Sequence, residues 1–326
     1  MKYNVFGLGN PLIDVILQVP EEIMGKLNVP KGSMNLVDAA RQAEILEGCS
    51  AFKATEALGG SCANSMVMVA QLGGKATFCG NAGTDKFGDT YKAQLEAEGV
   101  TSYLAQEEGV TGSTVILVTP DAERSMNTHL GKCQDLKAEQ IDLDALAESE
   151  YLYIEGYLWD TPSQQEAVMK AVEHAKANGV KIALSLSDAF CVERNKEAFQ
   201  NLCDNYVDLL FCNETEGNSM TGLDDAMESL RKLGSKITHV AFTLGARGAV
   251  IWDDGELFHI EPVPTEAVDT TGAGDAFAAG YLYGVTNGYL PEKAGDLGSV
   301  AASIVVGQVG PRFNGNFKEL VESYLD

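Results

Sequence analysis

Six short stretches of the chain are nearly unbroken apolar runs, rich in β-branched and aromatic residues, and each ends near Gly, Asn, Ser or Asp. They are YNVFGLGN (3–10), ATFCGNAG (76–83), YLYIEG (151–156), KIALSLSD (181–188), VDLLFCNE (207–214) and HVAFTLG (239–245). Runs without clean alternation predict strands covered on both faces. Helical patterns separate most of them. PSQQEAVMKAVEHAKANG (162–179) places Ala167, Val168, Ala171, Val172 and Ala175 on one face and stops at Gly179, and DDAMESLRKLG (224–234) behaves alike. Strand, helix and strand in succession predict an α/β fold, a central mostly parallel sheet with helices on both faces.

Two stretches break the rhythm. DVILQVP (14–20) and GSTVILVTPDAERSMNTHLG (112–131) read as strands with no helix between them, the second turning at Pro120 and Asp121. Together they predict a small β lid over residues 14–35 and 111–132, with 1–13, 36–110 and 133–326 forming the large domain. AVIWDDGELFHIEP (249–262) reads as a further hairpin, turning at Asp254-Gly255.

Charge changes the picture of partners. The 326 residues carry a formal net charge of −24, which repels nucleic acid and anionic membrane surfaces. No apolar run approaches the roughly 20 residues of a membrane span. The first residues, MKYNVFGLGNPLID, lack a signal-peptide pattern, so a cytoplasmic protein starting near Met1 is expected. The seven cysteines have no C-x-x-C pair and the four histidines no H-x-x-x-H pair, which favours buried free thiols over disulfides or zinc.

Ligands of open parallel sheets bind beyond the carboxyl ends of the strands. The residues there are Asn10, Asp14, Asn81, Glu155, Asp188, Asn213, Glu216, Thr243 and Gly245. In NETE, Asn213 and Glu216 lie three apart at a helix start. They read either as a reciprocal cap or as a pair holding the water shell of magnesium. DTTGAGDAFAAG (269–280) puts Gly272, Ala273 and Gly274 before a small apolar helix, whose amino end attracts an anion. Asp275 beside a bound phosphate is a poor binding group. It makes sense as a base for an attacking hydroxyl, or else as a residue favouring the first helical turn. No G-x-x-x-x-G-K-[ST] occurs, GLGNPL lacks the third glycine of a dinucleotide fingerprint, and no G-x-S-x-G elbow is present.

Over nearly its whole length the chain resembles the ribokinase-like (PfkB-type) kinases, most of all their adenosine kinase branch, bacterial members included. DTTGAGDAFAAGYLYG is similar to the family's C-terminal signature, LGGSCANS (58–65) to its N-terminal Gly-Gly signature, and NETE to its N-x-x-E motif. GNPLID (9–14), ERSMNTHLG (123–131), EGYLWD (155–160) and LSLSDAFCVER (184–194) resemble the adenosine kinase branch more than sugar kinases. The resemblance implies Asp275 as general base, with Gly272, Ala273 and Gly274 as the anion hole and Arg124 closing over the phosphates. It implies Asn213 and Glu216 as the pair that positions magnesium and phosphate through water. Thr243, Gly245 and Gly248 would line the ATP side, and Asp269 would belong to a monovalent-cation loop, for potassium. On the acceptor side it implies Asp14 on both ribose hydroxyls and Gly60, Ser61 and Asn64 framing the ribose. Asn10 would reach toward the base, and Met126, Tyr157, Leu158 and Phe190 would lie nearby.

One position departs from the pattern. An aromatic residue stacks on the purine in animal adenosine kinases where this chain has Leu158, which gives apolar contact without stacking unless Tyr157 or Phe190 substitutes. The expected activity is transfer of the γ-phosphoryl of MgATP to the 5′-hydroxyl of adenosine by a monomer or homodimer, with nucleoside and ATP as its small-molecule partners. Inosine, guanosine or a sugar stay open as acceptors. A nucleoside-binding regulatory protein would need neither Asp275 nor Arg124.

Overall fold

The computed structural model describes residues 1–121, 123–313 and 315–325. Ala122, in the predicted lid hairpin, and Asn314 and Asp326, in the predicted large domain, lie outside the described residues. The strands are β1 (Tyr3–Leu8), β2 (Leu12–Gln18), β3 (Met34–Leu36), β4 (Ala54–Leu58), β5 (Ala76–Gly83), β6 (Thr101–Glu107) and β7 (Gly112–Val118). They continue as β8 (Arg124–His129), β9 (Ser149–Glu155), β10 (Lys181–Ser185), β11 (Leu209–Asn213), β12 (His239–Thr243), β13 (Ala249–Asp253) and β14 (Glu256–Ile260).

Nine of them form one sheet in the order β14-β13-β12-β11-β10-β9-β1-β5-β6. From β12 through β6 every neighbouring pair is parallel, and the β13–β14 hairpin adds antiparallel strands at the other edge. The apolar runs are continuous because both faces are covered. On β9, Tyr151 and Tyr153 enter one core while Leu152 and Ile154 enter the other. The first core is roofed by the helices Ser61–Gln71, Ala273–Thr286 and Pro291–Val306, the second by Pro162–Ala177, Ala189–Asn205 and Ala226–Gly234. The small residues of AFAAGYLYG have a packing reason. A Cβ on Gly280 would lie 2.6 Å from the Leu297 carbonyl oxygen, so the 273–286 and 291–306 helices meet backbone to backbone.

The remaining strands form a five-stranded sheet, β3-β8-β7-β2-β4. It is wider than the predicted lid. β4, at 54–58, lies in the stretch expected to belong to the large domain, yet pairs antiparallel with β2. Its composition, ATEAL, is too polar to announce a strand; register with the apolar β2 makes it one. Directly paired residues share a face, so Asp14, Thr114 and Thr128 lie side by side, as do Ile16, Ile116 and Met126. The opposite face, with Val15, Leu17, Val115 and Leu117, joins the first core. Among the described residues, no helix is long and apolar enough to cross a membrane.

Candidate active site

β9 places a carboxylate under the crevice by simple alternation. Glu155 follows Tyr151 and Tyr153 on the same side, and ends the strand facing the start of the 61–71 helix. It has no exposed surface, and its two oxygens accept from the amides of Asn10 and Cys62, each at 2.8 Å. Burial pushes its carboxyl up to about 7, against those two donors. Glu155 thereby pins the β1–β2 turn to the helix that carries Ser61 and Asn64. The sequence placed it at a strand end but gave it no role.

Ser61 and Asn64 lie three apart and so face the same way. Both reach Asp275 in the first turn of the 273–286 helix. Ser61 Oγ donates to Asp275 Oδ1 at 2.6 Å, and Asn64 Nδ2 donates to Oδ2 at 2.8 Å. Loss of water around Asp275 raises its carboxyl pKa, while the two hydrogen bonds and the Arg312 charge pull it back. Gly272 caps this helix in the left-handed region, φ +79°, with Pro311 so close that a Cβ would lie 2.5 Å from its carbonyl oxygen. Gly274 is different: a Cβ there would meet nothing within 4 Å. The fold does not need glycine at 274, and a ligand approaching the open first-turn amides would.

Asp14 stands on the crevice-side face of the five-stranded sheet. It is 9% exposed, and among the described residues no hydrogen bond reaches its carboxylate. Burial raises its pKa from 3.8 to about 6, and Arg124 and Arg312 draw it down. Gly59 packs on it so closely that a Cβ there would fall 2.4 Å from Oδ1. Met126 lies half-buried on the same sheet face. Gly60, φ +90°, caps the 61–71 helix against the Asn10 carbonyl oxygen, 2.4 Å from where its Cβ would be.

Arg124, expected to close over the phosphates, is held by a partner. It opens β8, its side chain is 15% exposed, and Nη1 binds Asp269 Oδ2 at 2.5 Å. The ion pair ties the five-stranded sheet to the loop before Gly272. Nη2 of Arg124 is buried with no hydrogen-bond partner among the described residues. Asp269, offered as part of a cation loop, has both oxygens engaged. Oδ1 accepts from the Thr271 amide, and Oδ2 accepts from the Gly310 amide as well as Arg124.

Asn213 and Glu216 take the capping arrangement. The Glu216 amide donates to Asn213 Oδ1 at 2.9 Å, and the Asn213 amide donates to Glu216 Oε2 at 3.0 Å. Burial raises the Glu216 carboxyl to about 7. Thr243 ends the neighbouring strand in register with Asn213, and Gly245 and Gly248, both at positive φ, shape the loop that follows. Asn213 and Thr243 end adjacent strands.

Four acceptor-side candidates stand apart. Asn10 is turned inward: its Oδ1 accepts from Gln164 at 2.7 Å and it is 2% exposed. Leu158 has no exposed surface and packs in the second core, so it offers a purine nothing to touch. Phe190, at 61% exposed, lies free at the start of the 189–205 helix, and Tyr157 is half-buried. Arg312 is the site residue the sequence missed. It sits in GPRFNGN (310–316), which carries no motif spacing, yet its Nε donates to Asn64 Oδ1 at 2.7 Å. A cavity of about 360 Å³ at the opposite end of the sheet is lined by Lys176, Lys181 and Lys236. Two of these ammonium groups already bind Asn205 and Asp204, and the third lies over the Tyr151 ring.

The geometry agrees with what the chain is similar to. A probable sugar kinase from Rhizobium etli superposes with a TM-score of 0.93 at 38% identity, covering 99% of this chain and 98% of that one. The adenosine kinase from Sinorhizobium meliloti gives 0.92 at 36% identity, covering 99% of this chain and 100% of that one. Adenosine kinase 1 of Arabidopsis thaliana is 28% identical over 328 residues, 94% of each chain. Residues 27–316 match the pfkB family carbohydrate kinase profile. The chain therefore belongs to the pfkB family, and it is a phosphotransferase with a hydroxyl acceptor, of the nucleoside- and sugar-kinase kind.

Proposed function

We propose that the enzyme transfers the γ-phosphoryl of ATP to the 5′-hydroxyl of adenosine, giving AMP and ADP. The observation that carries this reading is Asp275: a carboxylate gripped by Ser61 and Asn64 beside an unobstructed Gly274. Asp14 accepts from the two ribose hydroxyls, an ionised acceptor facing two donors. The 5′-hydroxyl then lies against Asp275, which takes its proton as the oxygen attacks the γ-phosphorus and the bond to ADP breaks. First-turn amides of the 273–286 helix and the unpartnered Nη2 of Arg124 receive the charge that develops on the transferring group. The five-stranded sheet acts as a lid over 14–35 and 111–132, extended by β4, and keeps water from the phosphates.

Kinases of this family use ATP with Mg²⁺. Asn213 and Glu216 turn their polar atoms on each other, which suits contact through water rather than direct ligation, and the ion would neutralise phosphate charge there. Thr243, Gly245 and Gly248 line the ATP side.

A sugar acceptor is the second reading. Two observations favour it: Leu158 is sealed in the core, so it gives no purine contact, and Asp14 serves any adjacent pair of hydroxyls. The deciding experiment is a phosphorylation panel with MgATP against adenosine, 2′-deoxyadenosine, inosine, guanosine, ribose and fructose. Adenosine should have the highest kcat/KM and the deoxynucleoside a much lower one. A sugar in first place would replace this reading with the second.

A further inference from the structure

Three consecutive residues near the carboxyl end each touch a different part of the site. The Gly310 amide donates to Asp269 Oδ2 at 3.0 Å. Pro311 fills the space in front of Gly272, its carbonyl oxygen 2.5 Å from where a Cβ would stand. Arg312 donates from Nε to Asn64 Oδ1 at 2.7 Å, and its Nη2 comes within 3.5 Å of the Gly59 carbonyl oxygen, beside Asp14. The segment is itself held: Gln308 Nε2 donates to the Arg312 carbonyl oxygen at 2.7 Å, and Gln71 reaches that of Phe313 at 3.3 Å.

The chemistry of the central link has one direction. A guanidinium can only donate, so the amide oxygen of Asn64 must face Arg312. The amide NH₂ is then turned to Asp275, where it donates to Oδ2. A flipped amide would set NH₂ against guanidinium and carbonyl against carboxylate, two repulsive contacts in a site where Asn64 is only 5% exposed. Ser61 holds the other oxygen of Asp275.

We propose that Gly310-Pro311-Arg312 forms a wall of the active site, and that Arg312 is a positioning residue which, through Asn64, keeps Asp275 an oriented proton acceptor. This rests on the reading of Asp275 as the base. Its positive charge also lies near Asp14, so the same residue favours the ionised form of the acceptor-binding carboxylate.

The test compares pH profiles of kcat for the unmutated enzyme, Asp275→Asn, Arg312→Gln, Arg312→Lys and Asn64→Ala, with the Asn64→Ala/Arg312→Gln double variant. Arg312→Gln should lower kcat by about 10- to 100-fold and move the acidic limb of its profile to higher pH. Arg312→Lys keeps the charge and one donor, and should recover most of the profile. If Arg312 acts through Asn64, adding Arg312→Gln to Asn64→Ala should lower kcat by less than half of its single effect on a logarithmic scale. An unmoved acidic limb in Arg312→Gln, or simple additivity in the double variant, overturns the proposal. Near-normal turnover in Asp275→Asn would instead overturn the base on which it rests. If Arg312→Gln does not fold, the near-isosteric Arg312→Met takes its place in the same pH and double-variant comparisons, with the same outcomes supporting or overturning the proposal.

Discussion

Two carboxylates meet at the crevice, one from the five-stranded sheet and one from a helix that covers the large sheet, and they are held in opposite ways. Asp275, on the large sheet's side, has a donor on each oxygen, at 2.6 and 2.8 Å. Asp14, on the five-stranded sheet, is nearly as enclosed, but among the described residues no hydrogen bond reaches its carboxylate, and it feels the fields of Arg124, Arg312 and Asp275. A saturated carboxylate has a fixed orientation before substrate arrives, which suits a base. An unsatisfied, buried carboxylate is a vacancy for donors, which suits a binding group. In the proposed function the difference separates chemistry from recognition, and damage to each should appear in a different kinetic constant.

The largest expected effect is on the chemical side. Asp275→Asn should cut turnover by about 10²–10⁴-fold with acceptor KM little changed, because the loss lies in proton transfer. Steady-state kinetics checks it, and a large KM change at constant kcat would erase the contrast. Arg124 bridges the two regions, since it stands on β8 yet binds Asp269. Arg124→Ala should lower turnover by about 10²-fold. It should also speed hydrogen exchange in β7 and β8 of the ligand-free protein, because the tie to the large sheet is gone. Exchange that stays unchanged would mean the ion pair holds nothing.

Asp14→Ala should raise the acceptor KM at least tenfold, each charged hydrogen bond contributing about 1.5–3 kcal/mol. The pH dependence has a definite sign. The ionised form is the acceptor, and burial has moved its pKa from 3.8 to about 6, so acceptor KM should climb as pH falls through about 6. In Asp14→Asn that rise should vanish. The smallest effect separates fold from ligand at adjoining glycines. Gly274→Ala has open space around it and should leave the melting temperature equal or higher, while lowering kcat/KM for ATP by about threefold to tenfold. Gly272→Ala, strained at φ +79° and blocked by Pro311, should lower the melting temperature first. Equal behaviour of the two would show that neither glycine is kept for a ligand.

The strands of the large sheet were legible because burial on both faces leaves long apolar runs; all six predicted runs became β1, β5, β9, β10, β11 and β12. β6 was not read, since TSYLAQE lies at the sheet edge and mixes polar with apolar positions. β4 was missed for a similar reason, its sequence being exposed for most of its length. Among the site residues, Asp275, Ser61, Asn64 and Asp14 come together, each within or beside a glycine-marked turn. Asn10 and Leu158 turned inward because Gln164 and the second core offered them partners that no local spacing reveals.

The sequence by itself determined the α/β class, the parallel core strands, the glycine-led start of the 273–286 helix and the carboxylates that stand at the strand ends and helix starts. Those features are local: a run of apolar residues, a glycine before a helix, a pair three apart. Tertiary structure alone decided which donors each carboxylate meets. Asp275 lies 211 residues from Asn64, and Arg312 lies 248 from it, so no window along the chain contains the relay. It also decided that Arg124 is tied down rather than free, since Asp269 is 145 residues away. Hydrogen bonds and charge act through space, and the fold alone sets those distances.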